Sequence, residues 1–534
     1  MTAPTQAPPA SAAPPRSPLA TPLFRALWTA TIVSNIGTAM NDVGSAWLMT
    51  TLTPSALWVA LIQAAASLPV FLFSLPAGAL ADVVDRRKLL LGAQLLILLA
   101  AATLAASTLL GLTTPVVLLA LTAIMGLGAA LSAPAFQAIV PDLVGRDSLA
   151  DAVSLNSLGV NIARATGPAL GGLIVAFSGP AAVYGLNALS IIGVAVVVAR
   201  WRPSHPARTA PRENFRGAMS AGLRYARNAP ALQTVLLRAA GFFLFSSALW
   251  ALLPLFARRQ LELGAAGFGA LLGCIGAGAI AGAILLPRLR RHVGANGETV
   301  LASAMLGVAI LLLAQVRDAV AAGGVLIVAG MGWISMLSSL NIAAQTVVPA
   351  WVKARAMAVY LLVFQGAMTL GSIVWGSFAG ASATTSALTV AGVGLVLSTL
   401  LARWLRLERG EAIDLSPSSH WASPGGSMGD GPDRGPVMVM VEYQVEAAEM
   451  SAFIVALRAF APVRRRDGGY AWNVYVDSAE PDRVVETFMV PSWREHLRQH
   501  ERGTHDDRIV QEALQRHLGG RPPSVRHLIA PARL

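Results

Sequence analysis

The chain has 534 residues, of which 55% are hydrophobic and 13% are charged, whereas roughly a quarter of the residues in soluble globular proteins are charged. This composition excludes a chain that lies wholly in water and favours a membrane protein. Residues 1–410 hold 26 basic and 11 acidic side chains, so the positive charge lies in the apolar part. That distribution indicates loop topology rather than nucleic-acid binding.

The first 22 residues are rich in Pro, Ala and Ser, which predicts a disordered tail (1–22). No short apolar segment with a cleavage site precedes the first long apolar run, so we expect no cleaved signal peptide. Twelve apolar stretches follow, each long enough to cross about 30 Å of hydrocarbon. They cover residues 24–50, 56–81, 89–110, 115–140, 153–177, 180–199, 235–257, 264–287, 299–316, 319–346, 356–380 and 383–404. One such run could be a buried soluble helix, but twelve in succession predict membrane spans.

Basic residues are distributed unevenly over the loops. One set of alternate loops and flanks holds 21 of them, namely Arg16, Arg25, Arg86, Arg87, Lys88, Arg146, seven arginines between Arg200 and Arg227, Arg288, Arg290, Arg291, Lys353, Arg355, Arg403, Arg406 and Arg409. The opposite loops hold only Arg258, Arg259 and Arg317. The positive-inside rule therefore predicts that the first side, here called the arginine-rich end, is cytoplasmic together with both termini. Because arginine far outnumbers lysine, we expect a bacterial cytoplasmic (inner) membrane protein.

The membrane part divides into two six-helix halves, 23–199 and 235–410, around a central cytoplasmic loop, 200–234. Two sequence echoes support duplicated halves, at offsets of 208 and 204 residues: Gln137-Ala-Ile-Val-Pro141 with Gln345-Thr-Val-Val-Pro349, and Gly78 before Arg86-Arg87 with Gly282 before Arg290-Arg291. Transporters built from such repeats place their site near the membrane midplane. We therefore look for polar side chains deep within the spans.

A linker rich in Ser, Pro and Gly (411–436) precedes a polar segment of soluble character (437–534). Strand patterns at 437–445, 470–476, 483–490 and 524–530 and helix patterns at 447–460 and 492–517 predict a small cytoplasmic α+β ferredoxin-like domain. His496 and His500 lie one helical turn apart and could ligate zinc. No glutamate follows in metalloprotease fashion and no cysteine is near, so we favour an exposed or interface face over a metal site.

A glycine and a dense charge cluster follow the second span, in the run Gly78-Ala-Leu-Ala-Asp82-Val-Val-Asp85-Arg86-Arg87-Lys88. This run resembles the signature of the major facilitator superfamily. The resemblance implies an all-α membrane protein with twelve helices in two halves. It also implies that Asp82 faces the start of span eleven, where the helix dipole favours a carboxylate, and that these charges latch an outward-open state. A positive charge that merely flanks the span on the cytoplasmic side would explain the arginines, but it would not explain the two acids, Asp82 and Asp85.

Span five combines a helix-kinking proline with small residues at Gly167, Pro168, Gly171 and Gly172. Small residues permit close helix contact. The run resembles the antiporter motif of drug and proton exchangers in the same superfamily, although Ala163 and Ser154 stand where that motif has earlier glycines. The resemblance implies packing against the glycine-rich span eight. Generic tight packing without coupling is the alternative.

Ionisable residues within the spans are few, and they are costly there unless they face a cavity or a partner. Asp42 in span one and Arg164 in span five are the clearest. A carboxylate at Asp42 could carry a proton, and Arg164 could pair with an anionic substrate or a carboxylate. Asn41, Asn35 and Asn161 are further polar candidates in these spans. A structural ion pair or a side chain reaching the membrane edge is the alternative for both charged residues.

The stretch from Ser492 to Thr504 resembles the tail of enterobactin exporters and, more loosely, small domains related to antibiotic-biosynthesis monooxygenases, which implies dimerisation through the tail. We find no catalytic residue set and no phosphate-binding loop. We therefore expect no enzyme, cofactor or metal site, but a secondary transporter exporting a siderophore, drug or secondary metabolite in exchange for protons. Its partners would be the bilayer, the substrate and protons, and no nucleic acid. A membrane-tethered enzyme and a sensor, with the tail modifying or sensing a metabolite, stay as alternatives.

Overall fold

A computed structural model describes residues 17–144, 148–201, 215–407, 414–418 and 434–530. Most of the predicted amino-terminal tail and of the predicted linker lies outside these residues. The helices of the membrane part are α1 (Pro22–Leu52), α2 (Ala56–Val83), α3 (Arg86–Leu109), α4 (Pro115–Leu143), α5 (Leu149–Arg200), α6 (Phe215–Asn228), α7 (Pro230–Arg259), α8 (Ala265–Gln315), α9 (Ala319–Thr346), α10 (Lys353–Ala381) and α11 (Thr384–Ser398). The helix α6 lies within the segment predicted as the central loop.

Two helices are long enough to contain two spans each. The 52-residue α5 breaks at Gly179, where φ is 78°, and the 51-residue α8 breaks at Gly294, where φ is 69°. Glycine adopts positive φ without the steric penalty that a Cβ would bring. α5 therefore contains predicted spans five and six, and α8 contains predicted spans eight and nine.

Within the described residues, ten helical segments are long and apolar enough to cross a membrane, with α5 counted once. The 31-residue α1 is not among them. Its sequence includes several Thr and Asn residues and Asp42, which lower its mean hydropathy. The all-α polytopic membrane class is confirmed, and the number of twelve spans stays a prediction.

Local sequence sets where several helices begin. Proline occupies the first turn of α1, α4 and α7, where its missing N–H costs no hydrogen bond. The Thr114 side chain accepts a hydrogen bond from the amide of Val117 at the start of α4. Asp318 caps α9 in the same way, with 2.8 Å between its Oδ1 and the amide of Ala321. These side chains satisfy backbone donors that have no partner within the helix.

The helices pack within and between the two halves. In the first half α1 packs along α5, and in the second half α8 packs along α9. Across the halves, α2 contacts α10 and α5 contacts α8. A large core of buried side chains runs through both halves, with α7 the most buried span. The two interfaces α2–α10 and α5–α8 therefore decide how the halves meet.

The tail forms a separate antiparallel sheet with the strand order β2-β3-β1-β4. Its elements are β1 (Val437–Gln444), α12 (Met450–Arg466), β2 (Tyr470–Val476), β3 (Arg483–Val490), α13 (Trp493–Arg502), α14 (His505–Gln515) and β4 (Ser524–Ile529). Alternate residues of β1 are buried against α12, as the 0% exposure of Val437 and Phe453 shows. This order of elements confirms the predicted ferredoxin-like α+β domain.

The tail contacts the second half at the arginine-rich end. The Arg502 guanidinium lies 4.4 Å from the ring centre of Trp351, which stands in the connection between α9 and α10. Arg466 lies 5.7 Å from the ring centre of Tyr225 in α6. Arg224 of α6 forms an ion pair with Glu495 at 3.4 Å. Cation–π contacts and an ion pair thus join the tail to α6 and to this connection.

Candidate functional site

The bundle is closed at the end opposite the arginine-rich end. Arg258 of α7 donates a hydrogen bond from Nη1 to Thr50 Oγ1 of α1 at 3.1 Å and lies 5.8 Å from the ring centre of Trp47. Arg259 donates to the carbonyl oxygen of Pro54. Two of the three arginines predicted on this side therefore bridge the two halves. We call this side the closed end.

Helices α5 and α8 come into backbone contact near the closed end. A Cβ added at Gly172 would lie 2.6 Å from the Cα of Gly269, and one added at Gly276 would lie 3.2 Å from the Cα of Ala165. Such distances leave no room for a side chain. Small residues here permit the approach of two helices across the halves.

Towards the arginine-rich end the same two helix faces separate. Leu158 continues the contacting face of α5 and is 50% exposed, while Ile280 and Ile284 continue that of α8 and are 51% and 61% exposed. Ser154 and Asn161, on the same face of α5, are also exposed. The two halves therefore diverge and leave a pathway open at the arginine-rich end.

The contact between α2 and α10 is likewise closer near the closed end than at the arginine-rich end. A Cβ added at Gly376 would lie 2.4 Å from the Cβ of Ala60 near the closed end. Further along, the hydroxyls of Ser67 and Thr369 form a buried hydrogen bond of 2.7 Å. A Cβ added at Gly78, at the arginine-rich end of α2, would meet no atom within 4 Å. Both interfaces between the halves therefore open in the same direction.

Four polar side chains form a stripe along one face of α1: Thr31, Asn35, Thr38 and Asp42. The opposite face of α1 packs against α5, where the glycines of both helices make close contacts. Thr38 and Asp42 are exposed. No hydrogen bond or ion pair of Asp42 occurs among the described residues. A polar face within a membrane bundle borders a water-filled cavity, so this stripe is the first wall of the candidate pathway.

A second polar stripe lies on α5, at Ser154, Ser157, Asn161 and Arg164, all of which are exposed. Arg164 stands one residue before Ala165, at the point where α5 and α8 begin to separate. Within the described part of the chain its guanidinium has no ion pair. Arg164 therefore presents a positive charge at the inner limit of the open pathway.

Asn41 does not share the polar face of Asp42. It is 3% exposed, and its Oδ1 has no partner among the described residues. Its neighbour on the same face, Gly44, packs against Tyr184 in the second span of α5. The predicted pair of adjacent polar residues in α1 thus divides between the pathway and a helix interface.

The charged residues after α2 take several positions. Asp85 caps α3 and accepts a hydrogen bond from the amide of Lys88 at 3.0 Å. Arg86 faces Asp142 at the end of α4 at 3.4 Å, with about half of each side chain exposed. Arg87 donates to carbonyl oxygens at the end of α5. Asp82 lies in α2, with its side chain outside the described part, so its role in a latch stays a prediction.

The glycines of the antiporter-like motif serve two interfaces. A Cβ added at Gly167 would lie 2.5 Å from the Cβ of Ala39, and one at Gly171 would lie 2.9 Å from the Cα of Met40. Both positions therefore face α1, whereas Gly172 faces α8. Pro168 lies within the helix between them. The motif thus brings α5 against the polar-striped helix and against the second half at once.

One buried carboxylate was missed from the sequence. Glu298 is 1% exposed and accepts a hydrogen bond from Ser339 of α9 at 2.5 Å, and its Oε2 lies 3.9 Å from Arg290 Nε. Span nine was predicted to begin at residue 299, but the helix resumes directly after Gly294. A span predicted to begin at Gly294 would have included Glu298.

Arg238 of α7 is another buried charged residue of the second half. It donates to Asn296 Oδ1 at 2.6 Å and to Thr299 Oγ1 at 2.7 Å, both on α8. Its exposure is 7%. These hydrogen bonds tie α7 to the start of the last span of α8, so the role of Arg238 is to hold two helices together.

His496 of the tail is buried beside two other histidines. His496 is 2% exposed, and its ring centre lies 4.8 Å from that of His500 and 4.6 Å from that of His527 in β4. Burial, reinforced by the two neighbouring imidazoles, lowers the pKa of His496 to about 3. Among the described residues, no group of three or more His, Cys, Asp or Glu side chains could hold a metal ion. The sequence pattern could not reveal His527, because it lies on a different element.

Comparison with known proteins identifies the family. The sequence model of the family described as transmembrane secretion effector (MFS_3) matches residues 13–534. The enterobactin exporter EntS of Salmonella choleraesuis (strain SC-B67) is 28% identical over 385 residues, which cover 71% of this chain and 91% of the exporter. The enterobactin exporter EntS of Escherichia coli O1:K1 / APEC is 28% identical over 330 residues, covering 60% and 76%.

Two solved structures share the fold. A POT family transporter in complex with 5-aminolevulinic acid superposes with a TM-score of 0.59 at 12% identity, over 72% of this chain and 96% of that one. A bacterial homologue of the human lysosomal transporter Spinster superposes with a TM-score of 0.56 at 14% identity, over 73% and 96%. The chain belongs to the transmembrane secretion effector family of major facilitator transporters and is a multi-pass membrane protein.

Proposed function

We propose that this transporter exports a small amphipathic molecule from the cytoplasm by alternating access. The observation that carries the proposal is the pathway itself, which is closed between Trp47 and Arg258 at one end and open at the arginine-rich end. With that end in the cytoplasm, as the positive-inside rule predicts, the structure is in the state that would load substrate from inside the cell. Rocking the halves about their contact would then release it on the other side.

The polar stripes support a role for charge in substrate recognition. Arg164 presents to the pathway a guanidinium that has no ion pair among the described residues, and Asn161 and Ser157 add hydrogen-bonding groups one and two turns away on the same face. Guanidinium groups bind carboxylates and other oxygen anions through several donors at once. An anionic or oxygen-rich substrate such as a siderophore fits this wall, in keeping with the enterobactin named for the related exporters.

Asp42 is the proposed proton carrier. Its carboxylate borders the pathway and has no hydrogen-bond partner among the described residues, so it can gain or lose a proton as access alternates. Asp42 would take up a proton in the outward-open state, and the substrate would bind in the inward-open state. The proton and the substrate would then cross the membrane in opposite directions. This assigns antiport to one carboxylate that can be tested directly.

The test is substrate-dependent proton flux in proteoliposomes. An untargeted comparison of secreted metabolites from strains with and without the gene selects the substrate to be used. We expect Asp42→Asn to abolish proton flux coupled to substrate, because an amide carries no exchangeable charge. Glu262→Gln, which neutralises an exposed acid at the closed end, is the matched control and should leave the flux unchanged. Full coupling in Asp42→Asn would remove the proton assignment, and no transport in the parent would remove the proposed function.

The docked tail favours a second role, that of a sensor attached to the carrier. Its contacts with Trp351, Tyr225 and Arg224 join it to the half of the carrier that must move during transport. A metabolite-modifying enzyme was the other predicted role, and dimerisation through the tail stays a prediction. Removing residues 411–534 should alter transport or its regulation if the tail is a sensor.

A further inference from the structure

Arg290 sits at the arginine-rich end of α8, before the break at Gly294, and faces a single carboxylate. Its Nε lies 3.9 Å from Oε2 of Glu298, a residue that is 1% exposed. Ser339 donates a hydrogen bond to Oε1, while Oε2 has no hydrogen-bond partner among the described residues. Arg290 itself is 38% exposed, so it can leave Glu298 without crossing a packed interior.

Arg86 in the first half and Arg290 in the second half are corresponding residues, but their acidic partners come from different positions. In the first half, Arg86 faces Asp142 at the end of α4. The sequence echo between the halves matches Pro141-Asp142 with Pro349-Ala350, so the second half lacks the acid at this place. Glu298 takes over that role for Arg290, which is the counterpart of Arg86. Both halves therefore have the arginine, but the acid that faces it stands at a different position in each half.

A second carboxylate near the arginine-rich end belongs to the first half. Asp151 is in the first turn of α5 and is exposed. Within the described residues it has no ion pair or hydrogen bond through its side chain. An acid in the first turn of a helix is favoured by the helix dipole, and the described residues supply no further partner for the charge of Asp151.

The register of the α5–α8 contact shows what closure at the arginine-rich end would do. The helices run in opposite directions, and Ala165 lies against Gly276, as Gly172 lies against Gly269. Fourteen residues further towards the arginine-rich end on each helix stand Asp151 and Arg290. Fourteen residues are about four helical turns, so both side chains return to the contacting face. Continuing the present contact along both helices brings Asp151 opposite Arg290.

We propose that Arg290 exchanges carboxylates between the two states of the carrier. It pairs with Glu298 while the arginine-rich end is open and with Asp151 when that end closes. The proposal rests on the alternating access put forward above and names the residues that set its equilibrium. A guanidinium that keeps an acidic partner in each state avoids the cost of leaving a charge unpaired at the membrane edge. Arg290, Glu298 and Asp151 are thus positioning residues of the transport cycle.

The exchange predicts that two substitutions, each neutralising one of the acids, shift the closed-to-open ratio in opposite directions. Spin labels are placed on cysteines at Val153 and Val293, both exposed at the arginine-rich end, in a Cys274→Ser background in nanodiscs. Double electron–electron resonance then gives the fractions of open and closed carrier. We expect Glu298→Gln to raise the closed-to-open ratio several-fold, because it removes the open-state pair. Asp151→Asn should lower the ratio about twofold to fivefold, the range of an exposed ion pair.

Controls separate this exchange from a general structural role. Arg291→Gln removes a neighbouring charge and should leave the ratio unchanged. In a Glu298→Gln background, Arg290→Asp should deplete the closed state, because it then faces only Asp151, and adding Asp151→Arg should restore it. If both neutral variants shift the ratio in the same direction, or neither shifts it while the parent shows two populations, the exchange is wrong. A parent with one unchanging distance, with and without substrate, would contradict alternating access and the inference with it.

Discussion

Asp42 and Glu298 are both carboxylates within the membrane part, but their surroundings differ. Asp42 is exposed on the polar stripe of α1 and has no hydrogen-bond partner among the described residues. Glu298 is buried, accepts a hydrogen bond from Ser339 and faces Arg290. A buried carboxylate that accepts a hydrogen bond and faces a cation is held within the packing, whereas one that borders water can exchange protons. This contrast is why we assign proton transfer to Asp42 and a positioning role to Glu298.

At the scale of single residues, His496 makes the stability of the folded tail depend on pH. Its pKa is about 3 in the folded tail, mainly because of burial, and about 6.5 in an unfolded chain. Below pH 6.5 the unfolded state therefore binds a proton that the folded state does not, so stability falls as the pH falls from 6.5 towards 3. The loss amounts to at most about 1.4 kcal/mol per pH unit. We expect hydrogen exchange of α13 to become faster between pH 7.5 and 5.5, after correction for the intrinsic rate.

His496→Gln should flatten this dependence, since glutamine does not titrate. His505→Gln is the control, because the contact of His505 to Ser416 is made by the backbone amide, which the substitution keeps. If His496→Gln kept the full dependence, a different group would be responsible.

At the scale of elements, periodicity and length were sufficient to predict the apolar runs and the succession of strands along the chain of the tail. The gap predicted between spans five and six contains the break at Gly179, whereas the wider gap predicted between spans eight and nine did not show that the helix resumes directly after Gly294. Gly179 and Gly294 interrupt α5 and α8 by a single positive φ, without the polar loop that a length argument requires. The misplaced start of span nine then hid Glu298. The partner of Arg290 could not be predicted either, because it depends on which helix faces cross, and that is set by tertiary packing.

The glycines at the α5–α8 crossing give a prediction for these elements. In Gly172→Ala the new Cβ would lie 2.6 Å from the Cα of Gly269 and 2.8 Å from the carbonyl oxygen of Ala265. Both are backbone atoms that cannot turn aside, so the helices must separate at the closed end. We expect a loss of about 1–3 kcal/mol of stability, as for other overpacked sites, measured by thermal unfolding in detergent.

Gly185→Ala is the matched control for that substitution. It lies in the same helix, and a Cβ there would meet no atom within 4 Å. This variant should keep the parent stability or gain slightly, because alanine favours the helix. Equal losses in the two variants would show that the α5–α8 crossing does not set the effect.

At the scale of the whole molecule, the halves differ in what covers their arginine-rich ends. In the first half, Arg86 forms an ion pair with Asp142 at the end of α4. In the second half the corresponding connection carries Trp351, which packs under Arg502 of the tail. The described tail elements contact the carrier mainly through α6 and this connection. The tail should therefore move as part of the second half during transport.

Releasing the tail tests this arrangement. Arg502 is 7% exposed and also forms an ion pair with Glu495 at 2.6 Å, and Glu495 in turn pairs with Arg224 of α6. Arg502→Ala thus removes the cation–π contact, a stabilisation of up to about 2 kcal/mol, and leaves Glu495 with weaker partners. We expect the distance distribution between labels on Val455 in α12 and Val293 in α8 to broaden as the tail undocks. Arg521→Ala, which removes an exposed tail arginine paired only weakly with Glu446, should leave it narrow. An unchanged distribution in Arg502→Ala would mean that other contacts hold the tail, whereas a broadened one would allow transport rates in the two variants to show whether docking matters for export.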